Sequence, residues 1–172
     1  MSGRPILSRS EWPLRRVALP AGISGGLWLT EMPGRFALMS DFVSAATEVG
    51  ISGLVCLVDP DHLPEASPDY AAARADGRLA MELLDFAIPD YGTPGDPAAF
   101  AAFTKNLADR LGRAERLAIH CAAGVGRTGL AAVMVMRDLG LAPDAALATI
   151  RAAGSKPENP EQMQYVLDPT HA

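Results

Sequence analysis

Residues 117–130 read LAIHCAAGVGRTGL, and the order of residue types in this stretch decides how the chain folds. A short apolar run ends at His120, a loop with two glycines runs to Arg127, and a helix-forming segment follows. A loop between a strand and a helix N-terminus presents unpaired backbone N–H groups and the positive end of the helix dipole. Gly124 and Gly126 let the backbone turn those N–H groups inward without a Cβ clash. The stretch therefore predicts an anion-binding loop.

Cys121 opens this loop, and the residues around it suit attack on a phosphoryl group. The field that attracts an anion also favours the thiolate form of Cys121, which is the nucleophilic form. Arg127 supplies a planar fork for two oxygens of one phosphoryl group, and the Thr128 hydroxyl could hydrogen-bond the sulfur. A small buried cysteine would need none of these neighbours. A Walker phosphate loop would need a lysine where Arg127 stands.

Strand and helix patterns alternate along the chain and predict an α/β fold with a central, mostly parallel sheet flanked by helices. Apolar runs of strand length occupy residues 26–30, 53–58, 80–88 and 116–120. Helix patterns occupy residues 40–50, 67–77, 96–114 and 127–140, and two more begin at 143 and 159. Polar residues that favour N-caps precede several helices, namely Ser40 and Asp41, Ser67, Asp96 and Asn159.

The length of 172 residues predicts one domain, with an N-terminal extension over residues 1–25 and a core over residues 26–166. The formal net charge of −5 argues against a general nucleic-acid-binding surface. Two cysteines are too few for a disulfide framework. Residues 1–10 lack the apolar segment of a signal peptide, and no apolar run is long enough to cross a bilayer. We expect a cytoplasmic location and no membrane partner, and the oligomeric state is left open.

The segment HCAAGVGRTG resembles the H-C-x5-R-[S/T] signature of the cysteine-dependent protein tyrosine and dual-specificity phosphatases. It matches that signature at His120, Cys121, Gly124, Gly126, Arg127, Thr128 and Gly129. The resemblance implies a phosphocysteine intermediate on Cys121, phosphoryl binding by Arg127, and no metal or cofactor. It implies that His120 organises the loop through hydrogen bonds. The residues expected to bind substrate are Ala122, Ala123, Gly124, Val125, Gly126 and Arg127.

Phosphoryl transfer to a thiolate expels an alkoxide or phenoxide, and a positioned acid assists that departure. Asp90, in the stretch FAIPDYGTPGD, lies just past a predicted strand between Pro89 and Gly92. Local sequence alone explains Asp90 equally well as a turn residue. Small phosphatases of the kinase-associated type carry a similar P-I-x-D-x-G-x-P stretch before their cysteine. This resemblance implies that Asp90 is the general acid and then the base, with Asp85 and Asp96 as alternatives.

The same resemblance raises two further assignments. Related phosphatases place a water-positioning glutamine near the C-terminus, where Gln162 matches best and Gln164 is the alternative. An exposed helical glutamine explains the position equally well. The family often pairs a carboxylate after the second strand with the loop arginine. The candidates are Asp59, Asp61 and Glu65, of which Asp61 is preferred.

Cys56 is either a core residue in a buried strand or, as in some relatives, the partner of Cys121 in a redox disulfide. The leading functional hypothesis is a phosphatase of phosphotyrosine, and of phosphoserine or phosphothreonine, in proteins. The variable loop positions Ala122, Ala123 and Val125 carry no charge, which argues against a polyphosphorylated lipid substrate. The alternatives are a small phosphorylated metabolite or lipid as substrate, a phosphoprotein-binding module without turnover, and sulfur transfer through a persulfide.

Overall fold

The computed structural model describes residues 12–171. The prediction about a signal peptide concerns residues 1–10 and therefore falls outside the described residues. The same holds for residues 1–11 of the predicted N-terminal extension.

Within the described residues, one sheet forms the centre of the molecule. Its strands are β1 (Arg15–Arg16), β2 (Gly26–Thr30), β3 (Gly53–Cys56), β4 (Glu82–Asp85) and β5 (Arg116–His120). They lie in the order β1-β2-β5-β3-β4, with β1 antiparallel to β2 and all other neighbours parallel. The three central strands are almost wholly buried, as expected for parallel strands covered on both faces. The predicted α/β class is confirmed.

In the part of the chain that the structure describes, helices and two short 3₁₀ turns connect and cover the strands. The helices are α1 (Met39–Val49), α2 (Leu63–Ala66), α3 (Pro68–Ala75), α4 (Pro97–Gly112), α5 (Gly126–Asp138), α6 (Pro143–Ala152) and α7 (Pro160–Leu167). Every α5 residue from 126 to 136 is buried, because this helix packs against α4, α6, α7 and β5. Across residues 12–171, no helix is both long and apolar enough to cross a membrane.

Helix caps show where local sequence decides the structure. Asp96 and Asn159 cap α4 and α7 as predicted, and their carboxylate and amide oxygens accept the N–H groups of Ala99 and Gln162. The prediction that Ser40 and Asp41 cap α1 is wrong. That helix already begins at Met39, after Leu38, which offers no capping side chain.

Ser67 precedes α3 as predicted but does not cap it. Its buried hydroxyl donates to the carbonyl of Pro33 at 2.7 Å, so a tertiary contact takes the place of the cap. The strand predicted over residues 80–88 is shorter, Glu82–Asp85, and is partly exposed because it lies at the sheet edge.

The chain segment before residue 26 contributes to the packed core. Trp12 and Val17 are buried, and the Trp12 indole Nε1 donates to the Thr30 hydroxyl at 2.7 Å. Strand β1 pairs with β2 through Arg15 and Arg16. The described part of the predicted extension is therefore integrated into the fold. A strand of two residues has no periodicity that a sequence pattern could detect.

Candidate active site

The loop after β5 lies at the carboxyl ends of the parallel strands, where the α5 N-terminus meets the sheet. Cys121 follows His120, the last residue of β5, and is buried with 3% of its surface exposed. Gly124 has a φ of +74°, and a Cβ there would overlap the backbone carbonyl of Thr30. Only glycine satisfies both conditions, so the predicted role of Gly124 in turning the loop has a direct physical basis.

The surroundings hold the carbonyl groups of this loop outward. The Ala122 carbonyl accepts a hydrogen bond from Met32 N at 2.9 Å, and the Val125 carbonyl accepts one from Gly129 N at 2.7 Å. The Gly124 carbonyl accepts two hydrogen bonds, from Ser155 Oγ at 2.7 Å and from Arg15 Nη2 at 2.5 Å. Within residues 12–171, the N–H groups of residues 122–125 make no backbone hydrogen bond. The loop therefore offers a set of free donors at a helix N-terminus, which is the arrangement that binds an anion.

Arg127 brings the loop together with Asp90. The Arg127 side chain is buried, and its Nη2 lies 3.0 Å from Oδ1 of Asp90, while its Nη1 donates to the Ile88 carbonyl at 3.2 Å. Asp90 itself is exposed, with a relative side-chain accessibility of 68%. Arg127, which lies at the start of α5 directly after the Cys121 loop, thus links that loop to the predicted acid Asp90.

The preference for Asp61 as the carboxylate partner of Arg127 is wrong. Among the residues that the structure describes, Asp90 makes the ion pair with Arg127. Asp59 instead caps the short 3₁₀ turn Pro60–His62 by accepting the N–H of Asp61 at 3.0 Å. Asp61 and Glu65 are exposed.

The two alternatives to Asp90 have other contacts. Asp85 pairs with Arg74 at 2.6 Å, and Asp96 caps α4. Neither makes an ion pair with Arg127 in the described part of the chain. The geometry favours Asp90 as the group that faces the loop.

Gln162 lies beside Asp90's loop, and its amide is already bonded on both sides. Its Oε1 accepts from Glu158 N at 2.9 Å, and its Nε2 donates to the Gly92 carbonyl at 2.9 Å. Gln162 is completely buried, whereas Gln164 is exposed. A role for Gln162 in positioning water stays a prediction. Its hydrogen bond to the Gly92 carbonyl joins it to the loop that carries Asp90.

His120 supports the loop from the end of β5. Its Nδ1 lies 2.9 Å from the carbonyl oxygen of Cys121, and its Nε2 lies 2.9 Å from the hydroxyl of Tyr70. A carbonyl only accepts, so Nδ1 carries the proton and donates, and Nε2 accepts from Tyr70. Arg74 Nη1 in turn donates to the Tyr70 oxygen at 3.1 Å.

The His120 ring is neutral at ordinary pH. Complete burial lowers the pKa of His120 from 6.5 to about 4, and the positive charges of Arg74 and Arg127 act in the same direction. The hydrogen bond to the Cys121 carbonyl opposes the shift only in part. A neutral imidazole keeps one donor and one acceptor, which the two observed contacts require.

Thr128 departs from expectation. Its hydroxyl is buried and, among the described residues, has no hydrogen-bond partner, so the predicted bond to the Cys121 sulfur is not formed. A buried hydroxyl left without a partner costs about 1–3 kcal/mol. A bond to the thiolate form of Cys121 would remove that cost.

Cys56 lies in β3 opposite His120 in the sheet register. Burial raises the pKa of Cys56 to about 11, so this thiol is protonated at neutral pH. That favours the core interpretation, and a redox disulfide with Cys121 stays a prediction.

Three contributors to the site were absent from the sequence-based prediction. Arg15 and Ser155 hold the Gly124 carbonyl, and the Glu158 carboxylate lies over Gly126, where a Cβ would overlap it. Arg15 falls in the segment assigned to an extension, so no signal pointed to it. Within residues 12–171, no group of three or more His, Cys, Asp or Glu residues could hold a metal ion.

Comparisons with known proteins agree with this geometry. A family model described as PTP-SAK, Swiss Army Knife protein, DSP-PTPase phosphatase domain, matches residues 30–167. The mouse (Mus musculus) tyrosine-protein phosphatase non-receptor type 4 is 32% identical over 82 residues, which cover 42% of this chain. The chain spans only 9% of that protein's length.

Solved structures share the fold over most of the chain. Kinase associated phosphatase, with its catalytic-site cysteine replaced by serine, superposes with a TM-score of 0.78 at 18% identity and covers 92% of this chain and 94% of its own. Tk-PTP in its active form has a TM-score of 0.64 at 26% identity and covers 84% of this chain and 90% of its own. The family match spans the cysteine loop, Asp90 and α7.

Proposed function

The chain belongs to the Swiss Army Knife group of DSP-PTPase phosphatase domains, and we propose that it hydrolyses phosphotyrosine, with phosphoserine and phosphothreonine as further substrates, in proteins. One observation carries the proposal. The buried guanidinium of Arg127, six residues after Cys121, lies 3.0 Å from the carboxylate of Asp90. The proposed phosphoryl-binding cation and the proposed proton donor thus meet next to the loop that begins with Cys121.

The first half of the reaction forms the phosphocysteine. The thiolate of Cys121 attacks phosphorus, so an S–P bond forms as the P–O bond to the leaving group breaks. The N–H groups of residues 122–127 and the fork of Arg127 hold the three phosphoryl oxygens. Asp90 delivers its proton to the departing oxygen.

The second half releases phosphate. Asp90, now a carboxylate, accepts a proton from a water molecule that attacks the same phosphorus. The S–P bond breaks and its electron pair returns to the sulfur of Cys121. The Thr128 hydroxyl, which is buried and has no hydrogen-bond partner within residues 12–171, is the group that we assign to stabilising the departing thiolate.

The loop lining favours a substrate with a single phosphate. Ala122, Ala123 and Val125 supply no positive charge beyond Arg127 for additional phosphates. A protein phosphomonoester fits this lining better than a polyphosphorylated lipid. A small phosphorylated metabolite or lipid is the alternative substrate class. We also propose a cytoplasmic location, which the free cysteines Cys56 and Cys121 favour.

A binding module without turnover and a persulfide sulfurtransferase are less well supported. A module that only captures phosphoproteins has no use for the pairing of Asp90 with Arg127. Sulfur transfer needs a loop thiolate but no carboxylate aimed at the phosphoryl-binding cation.

The test compares hydrolysis of a phosphotyrosine peptide, a phosphothreonine peptide and a soluble inositol phosphate, all with a chelator present. Cys121→Ser should abolish turnover, and the control Cys56→Ala, at the other buried cysteine, should retain it. Peptide hydrolysis by the wild type and Cys56→Ala alone supports the proposal. Hydrolysis of the inositol phosphate alone would move the assignment to the alternative substrate class. Turnover by Cys121→Ser would remove the nucleophile assignment.

A further inference from the structure

We propose that Asn159 and Gln162, at the start of α7, are positioning residues that hold Asp90 at the phosphoryl-binding loop. This inference rests on the proposed function, in which Asp90 is the general acid. The amide Nδ2 of Asn159 donates to the Tyr91 carbonyl at 2.6 Å. The amide Nε2 of Gln162 donates to the Gly92 carbonyl at 2.9 Å. These carbonyls belong to the two residues that directly follow Asp90.

Both amide side chains are fixed at their other end as well. The Oδ1 of Asn159 accepts the N–H of Gln162, and the Oε1 of Gln162 accepts the N–H of Glu158, each at 2.9 Å. Because each oxygen is bonded to a backbone N–H group at the N-terminal end of α7, each nitrogen is directed at the loop of Asp90. Gln162 is also completely buried, so its rotamer is held by packing. The α7 N-terminus therefore presents two oriented donors.

The conformation of Tyr91 shows that this loop needs external support. Its φ is +56°, in the left-handed region, which costs a residue other than glycine about 1–3 kcal/mol. Tyr91 as a whole residue is 66% exposed, so packing of the ring does not hold the residue there. Within the turn, Gly92 N donates to the Pro89 carbonyl at 2.9 Å, and the bonds from α7 to the Tyr91 and Gly92 carbonyls add a restraint from outside it.

Substrate binding gives these bonds their importance. Arg127 holds the opposite side of the loop through its ion pair with Asp90 and its bond to the Ile88 carbonyl. A phosphoryl group that occupies the Arg127 fork competes for those same donors. The bonds from Asn159 and Gln162 use different donors and different carbonyls, so they persist when phosphate is bound. They then keep Asp90 within reach of the leaving oxygen.

The decisive variant removes one donor and leaves the helix cap intact. Asn159→Ser keeps an N-cap acceptor for α7 but cannot reach the Tyr91 carbonyl. Asn106→Ser, at an exposed position of α4, is the matched control. Gln162→Met keeps the side-chain length and removes both amide bonds. Thermal unfolding of each full-length variant establishes that it is folded before kinetics are measured.

The readout is the dependence of kcat/KM on the leaving group, measured with aryl phosphates whose phenols range from weakly to strongly acidic. A general acid raises the rate about 10²–10⁴-fold for a poor leaving group. We therefore expect Asn159→Ser to lower kcat/KM for the least acidic phenol about tenfold or more. With the most acidic phenol, which departs without a proton, the loss should be small. Asn106→Ser should behave as the wild type. A general structural defect would lower kcat/KM by the same factor for every substrate.

Asp90→Asn separates the failure of this inference from the failure of the proposed function. If Asp90→Asn steepens the leaving-group dependence and Asn159→Ser does not, positioning by α7 is excluded while the acid assignment stands. If Asp90→Asn leaves the dependence unchanged, the acid assignment fails and the inference fails with it. If Gln162→Met accumulates phosphocysteine with unchanged leaving-group dependence, Gln162 acts on water rather than on the loop. The double variant Asp90→Asn with Asn159→Ser supports the inference if its kcat/KM falls no further than that of Asp90→Asn alone.

Discussion

Acid should destabilise this fold through the buried imidazole of His120. The pKa of His120 is 6.5 in an exposed chain and about 4 in the fold, chiefly because the ring is completely buried. Between these two values the unfolded chain binds a proton that the folded protein does not bind. The contribution of His120 to stability is therefore complete above pH 6.5 and is lost progressively as the pH falls toward 4.

The size of this effect follows from the shift. Each pKa unit corresponds to about 1.4 kcal/mol, so the fall from 6.5 to about 4 corresponds to about 3 kcal/mol of unfolding free energy. A domain of this kind has a total of about 5–15 kcal/mol. One imidazole thus accounts for a substantial part of the acid sensitivity.

Urea unfolding between pH 7.5 and pH 4.5 measures this, with His120→Gln as the variant that cannot titrate. Carboxylates titrate equally in both proteins, so the difference between the two stability curves isolates His120. The wild type should lose about 2–3 kcal/mol more than His120→Gln over this interval. Parallel curves, or an imidazole NMR titration of His120 centred near its exposed value, would show that burial does not shift the His120 pKa.

Two further substitutions test the support of the loop. Arg15→Met removes the charge-assisted bonds to the carbonyls of Gly124 and Gly154, each worth about 1.5–3 kcal/mol, so chemical unfolding should show a loss of about 3 kcal/mol or more and kcat/KM should fall. Arg16→Met on the same strand should change both little. Gly124→Ala adds a backbone clash with Thr30 to the cost of a positive φ, whereas Gly77→Ala, at φ +63° with open space around it, bears the φ cost alone. Gly124→Ala should therefore abolish most activity. It should also destabilise the protein by more than the roughly 1–2 kcal/mol expected for Gly77→Ala. Equal losses of stability in the two variants would show that the clash is absent.

Local patterns predict most of the elements of this fold. The strand at residues 26–30 and the strand at 116–120 have the predicted bounds, and Asp96 and Asn159 cap their helices as expected. These features depend on side chains a few residues apart, which a sequence displays directly. The cysteine loop is in the same class, because its glycines, arginine and nucleophile are consecutive.

Features that depend on contacts across the chain escaped prediction. The Asn159 amide was recognised as a cap, but its second bond joins it to Tyr91, 68 positions earlier. The choice of Asp61 as the partner of Arg127 failed because a carboxylate near a strand end has no local signal for the direction that it faces. Arg15 acts through a two-residue strand that has no hydrophobic period.

In the proposed reaction Cys121 carries the phosphoryl group during turnover. Mixing the protein with a phosphotyrosine peptide, followed by a denaturing quench and mass spectrometry of peptide 117–127, tests this directly. We expect one phosphate group on Cys121 in the wild type, more phosphorylated Cys121 in Asp90→Asn, and none at this position in Cys121→Ser. Steady hydrolysis of the peptide by the wild type with phosphate never found on Cys121, or with phosphate found equally in Cys121→Ser, would rule out Cys121 as the nucleophile.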